Sequence, residues 1–249
     1  CLGLNYRTTP VEVRERVAFP EAQVPEAVQQ VRGLPGFEEG VVLSTCNRVE
    51  LYATHAHGQP QAAHDTLIRY LIERFELAPE QAEALVTYKL DSAEAARHLF
   101  RVVSGLDSMV LGETEIFGQV KAAYQTALGA GTTSRTLNKL FQQAFTVGKK
   151  VRNETSIQRG STSVGSVAVD LAEKVHDLNK CRVMLVGAGE MSRTCAQSLL
   201  SRGAHSIIVS NRSHDRAVEM AAEMKGRAIR FDEWESALHE VDVIISSTS

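Results

Sequence analysis

The chain has 249 residues, of which 43% are hydrophobic, 23% charged and 6% aromatic, a composition that supports one large or two modest globular domains and excludes intrinsic disorder or a small disulfide-stapled scaffold. Its 27 Lys and Arg against 30 Asp and Glu leave a net charge of −3, so a nucleic-acid partner must be met by a local basic patch. No apolar run approaches the roughly 18–20 residues that span a bilayer, and the opening Cys1-Leu2-Gly3-Leu4-Asn5 lacks a basic segment leading into an apolar stretch; the expectation is a cytoplasmic protein that does not meet a membrane.

All six prolines lie in the first 80 residues, which predicts a turn-rich start. Strands are expected over 41–43 and 49–53, joined by Ser44-Thr45-Cys46-Asn47-Arg48. Apolar residues then recur at helical spacing over 65–75 (Leu67, Tyr70, Leu71), 92–103 (Ala95, Leu99, Val102, Val103) and 116–128, the last stopped by Gly129 and Gly131. A further helix starts after Ser134, a predicted N-cap, with Leu137, Leu140, Phe141, Ala144, Phe145 and Val151 on one stripe. A break is expected at 159–163, and one more helix at 164–175.

From there strands (182–186, 206–210, 228–231, 241–245) alternate with helices (190–201, 214–224, 233–239), the signature of a parallel, doubly wound sheet. The fold class is therefore α/β, with an α+β domain over 1–155 and a Rossmann-like domain over 160–249. The missing initiator Met and the end at Ser246-Ser247-Thr248-Ser249, directly after a strand, are read as the two cut ends of a longer chain.

The strand at 182–186 runs into Gly187-Ala188-Gly189-Glu190-Met191-Ser192. Glycines at a strand-to-helix turn let backbone N–H groups and the helix N-terminus meet a pyrophosphate, with Ser192 in place of the usual third glycine. At the end of the following strand stand Asn211 and Arg212, with no carboxylate; a guanidinium there grips a ribose 2′-phosphate, which favours NADPH over NADH.

The four cysteines, at 1, 46, 181 and 195, form no CxxC pair and have no His at zinc spacing, so neither a metal site nor a disulfide framework is expected. Cys181 and Cys195 adjoin core elements and read as inert. Cys46 stands among Ser44, Thr45, Asn47 and Arg48, polar surroundings with a fixed positive charge that favour the thiolate. A reactive thiol joined to a dinucleotide fold points to acyl reduction through a thioester. His55 and His57 form an HxH pair beside Gly58 and Pro60, read as loop residues. Between 134 and 160, Arg135, Lys139, Lys149, Lys150, Arg152 and Arg159 face one acid, Glu154, a candidate surface for a nucleic-acid backbone.

Three segments resemble the glutamyl-tRNA reductase family: Ser44-Thr45-Cys46-Asn47-Arg48-Val49-Glu50-Leu51-Tyr52, the run from Ser104-Gly105-Leu106-Asp107-Ser108 through Leu111-Gly112-Glu113-Thr114-Glu115 to Gln119-Val120-Lys121, and Gly187-Ala188-Gly189-Glu190-Met191. The opening Gly3-Leu4-Asn5-Tyr6-Arg7-Thr8-Thr9-Pro10 is similar too, so the resemblance runs through the whole chain. It implies NADPH-dependent reduction of glutamyl-tRNA to glutamate-1-semialdehyde, the first step of five-carbon tetrapyrrole synthesis. It places the nucleophile on Cys46, an activity-bearing histidine on His98, and substrate recognition on Thr45, Asn47, Arg48, Ser108, Glu113, Thr114, Glu115 and Gln119. It also implies a homodimer formed by a C-terminal domain absent from these residues, and an aminomutase as the next enzyme. The rival readings are an NADP-dependent dehydrogenase of a small hydroxy acid, which would need no thiol, and a silent tRNA-binding relative, which would not need Cys46, Arg48 and the glycine turn together.

Overall fold

The computed structural model describes residues 1–56, 59–78, 80–81, 85–158, 163–204 and 206–247; the side chain of Glu190 is also outside this set. His57, Arg159 and all of the expected break except Ser163 lie outside the described residues. The chain divides into two compact units, Cys1–Gln158 and Arg159–Ser249.

The first unit is built on an antiparallel sheet of β1 (Leu2–Asn5), β2 (Phe37–Ser44), β3 (Arg48–His55) and β4 (Tyr88–Lys89), in the order β2-β3-β1-β4. Helices α1 (Val11–Arg16), α2 (Val24–Gly33), α3 (Pro60–Phe75), α4 (Ser92–Val103), α5 (Glu115–Gly129) and α6 (Arg135–Glu154) surround it. The turn-rich start thus contains α1 and α2 ahead of β2, besides the expected helix that follows β3. Pro25 lies in the first turn of α2, where its missing N–H costs nothing, and Ala27, Val28 and Val31 bury that helix's inner face. Phe141 of α6 packs edge-on to Tyr52 of β3 and stacks on Tyr124 of α5, at 5.5 and 5.4 Å between ring centres, which ties the sheet to both helices.

Ser134 precedes α6, but its side chain does not cap the helix. The carboxylate of Glu39, on β2 and 1% exposed, does so instead: it accepts from the backbone N–H groups of Ser134 (2.7 Å), Thr136 (3.1 Å) and Leu137 (2.9 Å) and from the Ser134 hydroxyl (2.5 Å). A buried negative charge satisfying the free donors of a helix N-terminus fixes that end of α6 to the sheet.

The second unit is an all-parallel sheet of β5 (Arg182–Val186), β6 (Ser206–Asn211), β7 (Arg227–Arg230) and β8 (Val243–Ser246), ordered β7-β6-β5-β8. Its helices are α7 (Val164–Val175), α8 (Glu190–Ser201) and α9 (His214–Glu223). The expected helix over 233–239 is absent; two short 3₁₀ turns, Phe231–Glu233 and Leu238–Glu240, take its place. Trp234, Ala237, Leu238 and Val241 have helical spacing, but the backbone hydrogen bonds here are shared between i−3 and i−4 carbonyls and do not continue as an α-helix. The Ala237 N–H is shared between the carbonyls of Glu233 (3.3 Å) and Trp234 (3.2 Å).

Candidate active site

Ser44 pairs with Val49 across β2 and β3, so residues 45–48 form a tight connection. The Thr45 N–H donates to the Arg48 carbonyl (2.8 Å), while the Thr45 hydroxyl accepts from the N–H groups of Asn47 (3.2 Å) and Arg48 (3.1 Å). Thr45 therefore builds the turn itself. The Asn47 carbonyl accepts from Tyr6 N–H (2.8 Å), and the Cys46 carbonyl from Arg14 Nε (3.1 Å). The thiol of Cys46 is left exposed at the tip.

Its electrostatics correct the sequence expectation. Partial desolvation, then the charge of Glu113, with Glu115 adding to it, push the Cys46 thiol above its ordinary value; its own backbone N–H and Arg14 oppose them. Arg48, expected to bias the thiol toward thiolate, does not supply that charge. Its side chain is 1% exposed, with Nη1 2.7 Å from Glu50 Oε1 and 3.7 Å from Asp107 Oδ2, and Nη2 donating to the Asp107 carbonyl.

Glu50, fully buried, is the hub of this cluster. Its Oε1 accepts from Arg48 Nη1 and from Tyr88 Oη (2.6 Å), and His98 Nε2 lies 2.8 Å away; Tyr52 Oη donates to Oε2 (2.6 Å). Burial alone would raise the Glu50 carboxyl, but the His98 hydrogen bond and the Arg48 charge outweigh it and hold it well below the usual carboxylate range. A carboxylate only accepts, so His98 Nε2 carries the proton of that bond. His98 Nδ1 lies 3.8 Å from Asp107 Oδ2, and Asp107 also pairs with Arg7 at 3.3 Å. Cys1, Glu50 and His98 bring possible ligand atoms within 4.8 Å of one another, yet the donors already on Glu50 leave a hydrogen-bonded carboxylate there, not a cation cage. Burial and the neighbouring Glu50 charge push the phenols of Tyr52 and Tyr88 upward, so both stay protonated donors.

The segment after α4 carries the remaining candidates. Ser108 and Glu113 are buried, whereas Met109 and Leu111 are 49% and 61% exposed; over 108–113 the backbone turns these two polar candidates inward. Tyr6 Oη donates to the Ser108 carbonyl (2.9 Å). The hydroxyls of Ser104 and Ser108 and the Nε of Arg48 are buried without a hydrogen-bond partner, donors that a ligand acceptor would satisfy. Thr114 and Glu115 are exposed at the start of α5, and Gln119 lies half-buried one turn further on. The structure thus gathers Arg48, His98 and Asp107 into one cluster, with Ser108 next along the chain, and brings Cys46 within the electrostatic reach of Glu113 and Glu115; Thr114 and Gln119 are not tied to either group by a hydrogen bond or ion pair among the described residues.

Three other candidates resolve simply. His55, expected in a loop, is instead the last residue of β3, paired with Phe37 of β2 and with its ring edge-on to the Phe37 ring (5.2 Å). Cys181 and Cys195 are buried in the second unit. On α6, Arg135, Lys139, Lys149 and Lys150 are exposed, but Arg152 turns inward.

In the second unit, Gly187 has φ +115°, and a Cβ there would meet the Ser247 carbonyl at 2.7 Å, so only glycine makes this turn. Gly189 begins α8 with open space around it. Asn211 shapes the turn, accepting from Ala188 N–H (3.2 Å) and donating to the Ser213 carbonyl (3.0 Å). Ser192 is buried with its hydroxyl bonded to that of Ser247, Met191 is half-buried, and Arg212 is exposed at the end of β6. A bare glycine at the head of a 12-residue helix, beside a parallel strand followed by a cation, fits a dinucleotide phosphate.

Fold and site together define a two-domain enzyme class in which a thiol loop is joined to a dinucleotide-binding domain. Residues 2–155 match the family model for the N-terminal domain of glutamyl-tRNA reductase, and residues 170–249 that for shikimate/quinate 5-dehydrogenase. The glutamyl-tRNA reductase of Akkermansia muciniphila is 52% identical over 250 residues, covering 100% of this chain and 72% of its own length. That of Desulforudis audaxviator is 46% identical over 249 residues, with 55% of its length covered. The solved structure of the Methanopyrus kandleri glutamyl-tRNA reductase superposes over 100% of this chain and 58% of its own, with TM-score 0.61 and 38% identity. The chain belongs to the glutamyl-tRNA reductase family, and spans little more than half the length of several relatives it matches. No described helix is long and apolar enough to cross a membrane.

Because Glu50 is held ionised by four donors, Glu50→Gln should cost about 3–5 kcal/mol at neutral pH, as breaking a buried ion pair does. A depressed carboxyl stabilises above its unfolded value and loses that contribution as pH falls. In urea titrations, the gap between wild type and Glu50→Gln should narrow once pH drops below about 4; a gap independent of pH would show that Glu50 is not ionised in the fold.

Proposed function

We propose that this chain performs its family's reduction: the glutamyl group of glutamyl-tRNA passes to Cys46 as a thioester and is released as glutamate-1-semialdehyde, opening five-carbon tetrapyrrole synthesis. The observation that carries it is the exposed Cys46 on a tight turn, within the electrostatic reach of Glu113 and Glu115 and in the unit that matches the reductase N-terminal domain. A thiolate suits both halves of the chemistry, since it attacks an ester carbonyl and later leaves from a thioester. Cys46 Sγ adds to the ester carbonyl carbon, the bond to the tRNA 3′-oxygen breaks, and that oxygen departs with a proton. NADPH, when bound, supplies the hydride that converts the thioester carbonyl to the aldehyde as the C–S bond breaks.

Glu113 and Glu115 receive the α-ammonium of the glutamyl group. The unsatisfied donors Arg48 Nε and Ser108 Oγ, together with Gln119, Asn47 and the hydroxyls of Thr45 and Thr114, take its carboxylate and carbonyl oxygens. This division has a consequence for the thiol. The acids that add to desolvation in raising the thiol of the empty protein are offset by the arriving ammonium, which favours the thiolate where the substrate is bound. His98, its Nε2 committed to Glu50, has Nδ1 for handling the proton of the departing oxygen.

Gly187, Ala188, Gly189, Glu190, Met191 and Ser192 cradle the cofactor pyrophosphate, Asn211 holds the turn, and Arg212 takes the 2′-phosphate that distinguishes NADPH. The exposed cations Arg135, Lys139, Lys149 and Lys150 offer contacts to tRNA phosphates. A homodimer, cytoplasmic location and hand-over to an aminomutase follow from the family resemblance alone.

Two substitutions test this. Cys46→Ser should abolish semialdehyde formation from glutamyl-tRNA and NADPH while leaving NADPH affinity unchanged; retained turnover would remove Cys46 from the chemistry. Arg212→Ala should weaken NADPH by roughly 1.5–3 kcal/mol, the worth of charge-assisted hydrogen bonds, and leave NADH nearly unaffected. Equal losses for both cofactors in a binding titration would assign the 2′-phosphate to another residue.

A further inference from the structure

Arg152 stands in the basic run of α6 but does not face outward with it. Its Nη2 donates to the carbonyls of Val103 (3.4 Å), the last residue of α4, and Glu113 (3.2 Å), and its guanidinium carbon lies 4.6 Å from the centre of the Phe117 ring on α5. One side chain therefore holds both ends of the 104–113 segment and stacks on the helix that follows it. The helix backbone is shaped for the same contact one turn earlier. A Cβ at Gly148 would meet Phe117 at 3.1 Å and the Val103 carbonyl at 3.2 Å, the two groups that Arg152 touches, so a glycine there lets α6 come close enough for Arg152 to reach them. Arg152 Nε is buried without a partner. Arginine is desolvated at this point, at a cost, to organise backbone carbonyls.

We propose that Arg152 is a positioning residue: by holding the Glu113 carbonyl against the end of α4 and against Phe117, it fixes the place of the Glu113 carboxylate beside Cys46. That Glu113 recognises the substrate ammonium rests on the function proposed above, whereas its effect on the thiol does not. The charged groups acting on the thiol are Glu113 and Glu115 on one side and Arg14 on the other; Arg152 grips the segment bearing Glu113 by hydrogen bond and touches the helix that starts at Glu115 only through the Phe117 ring.

The test is the pH dependence of Cys46 alkylation by iodoacetamide, followed by peptide mass spectrometry in the intact protein without substrate, alongside steady-state kinetics with glutamyl-tRNA. In Arg152→Ala the Glu113 carboxylate drifts from the thiol. Alkylation at neutral pH should then rise about three- to tenfold, a midpoint shift of half to one pH unit downward, while kcat/KM for glutamyl-tRNA falls. Glu113→Gln should produce the same rise, and adding Arg152→Ala to it should produce no more. Arg152→Lys keeps a donor but not the planar stack on Phe117, and should fall between wild type and Arg152→Ala; it carries the comparison if the alanine variant loses its cooperative melt. An unchanged alkylation profile in a folded Arg152 variant overturns the proposal, as does an undiminished further rise in the Glu113→Gln background. Faster alkylation with unaltered kcat/KM would uphold the positioning role and instead contradict ammonium recognition by Glu113.

Discussion

The candidate site hangs on one buried carboxylate. An unpaired Glu50 would cost several kcal/mol to bury, and the structure meets that cost with four donors drawn from three elements: Arg48 and Tyr52 on β3, Tyr88 on β4 and His98 on α4. Each donor is thereby fixed in place. Arg48 passes the constraint on to Asp107, and so to the segment carrying Ser108 and Glu113. The loop bearing Cys46 leads into β3 two residues before Glu50, so the geometry of the exposed thiol descends from a hydrogen-bond network centred on a fully buried carboxylate. Functional precision on a surface loop is obtained from second-layer groups locked inside the sheet.

The charges around Cys46 follow from the same economy. Arg48 is the obvious cation beside the thiol in the sequence, yet its charge is consumed by Glu50 and Asp107. Desolvation and the charges of Glu113 and Glu115 raise the thiol instead, and the opposing cation is Arg14, whose guanidinium spans the carbonyls of Cys46 and Thr9. An unliganded thiol kept protonated is protected from adventitious alkylation and oxidation. In the function proposed above, a cationic substrate group offsets the acids' share of that protection, which couples thiol activation to substrate recognition.

Much of the architecture is legible in the sequence because it is local. The apolar stripe Ala95, Leu99, Val102, Val103 specifies α4 to the residue, and the strand followed by Gly187-Ala188-Gly189 specifies β5 and the turn into α8. The polar loop around Cys46 is legible for the same reason. What escapes is what depends on pairing at long range. Glu50 alternates with Val49 and Leu51 as a solvent-facing strand residue would, and is buried only because β4 and α4 close over it. Glu39 replaces Ser134 as the cap of α6 across 95 residues of chain. Arg152 reads as one more cation on a basic face until its partners at 103 and 113 are in view. Sequence thus shows which groups are present at the site, while the sign of the field at the thiol is set by tertiary pairing.

The most direct test of a Cys46 thioester in this fold is a single-turnover incubation of the intact protein with glutamyl-tRNA in the absence of reductant, quenched in acid and mapped by peptide mass spectrometry. A glutamyl adduct on the peptide containing Cys46, labile to hydroxylamine, is the predicted result. An adduct confined to Cys1, Cys181 or Cys195, or none while semialdehyde still forms once NADPH is added, would contradict it.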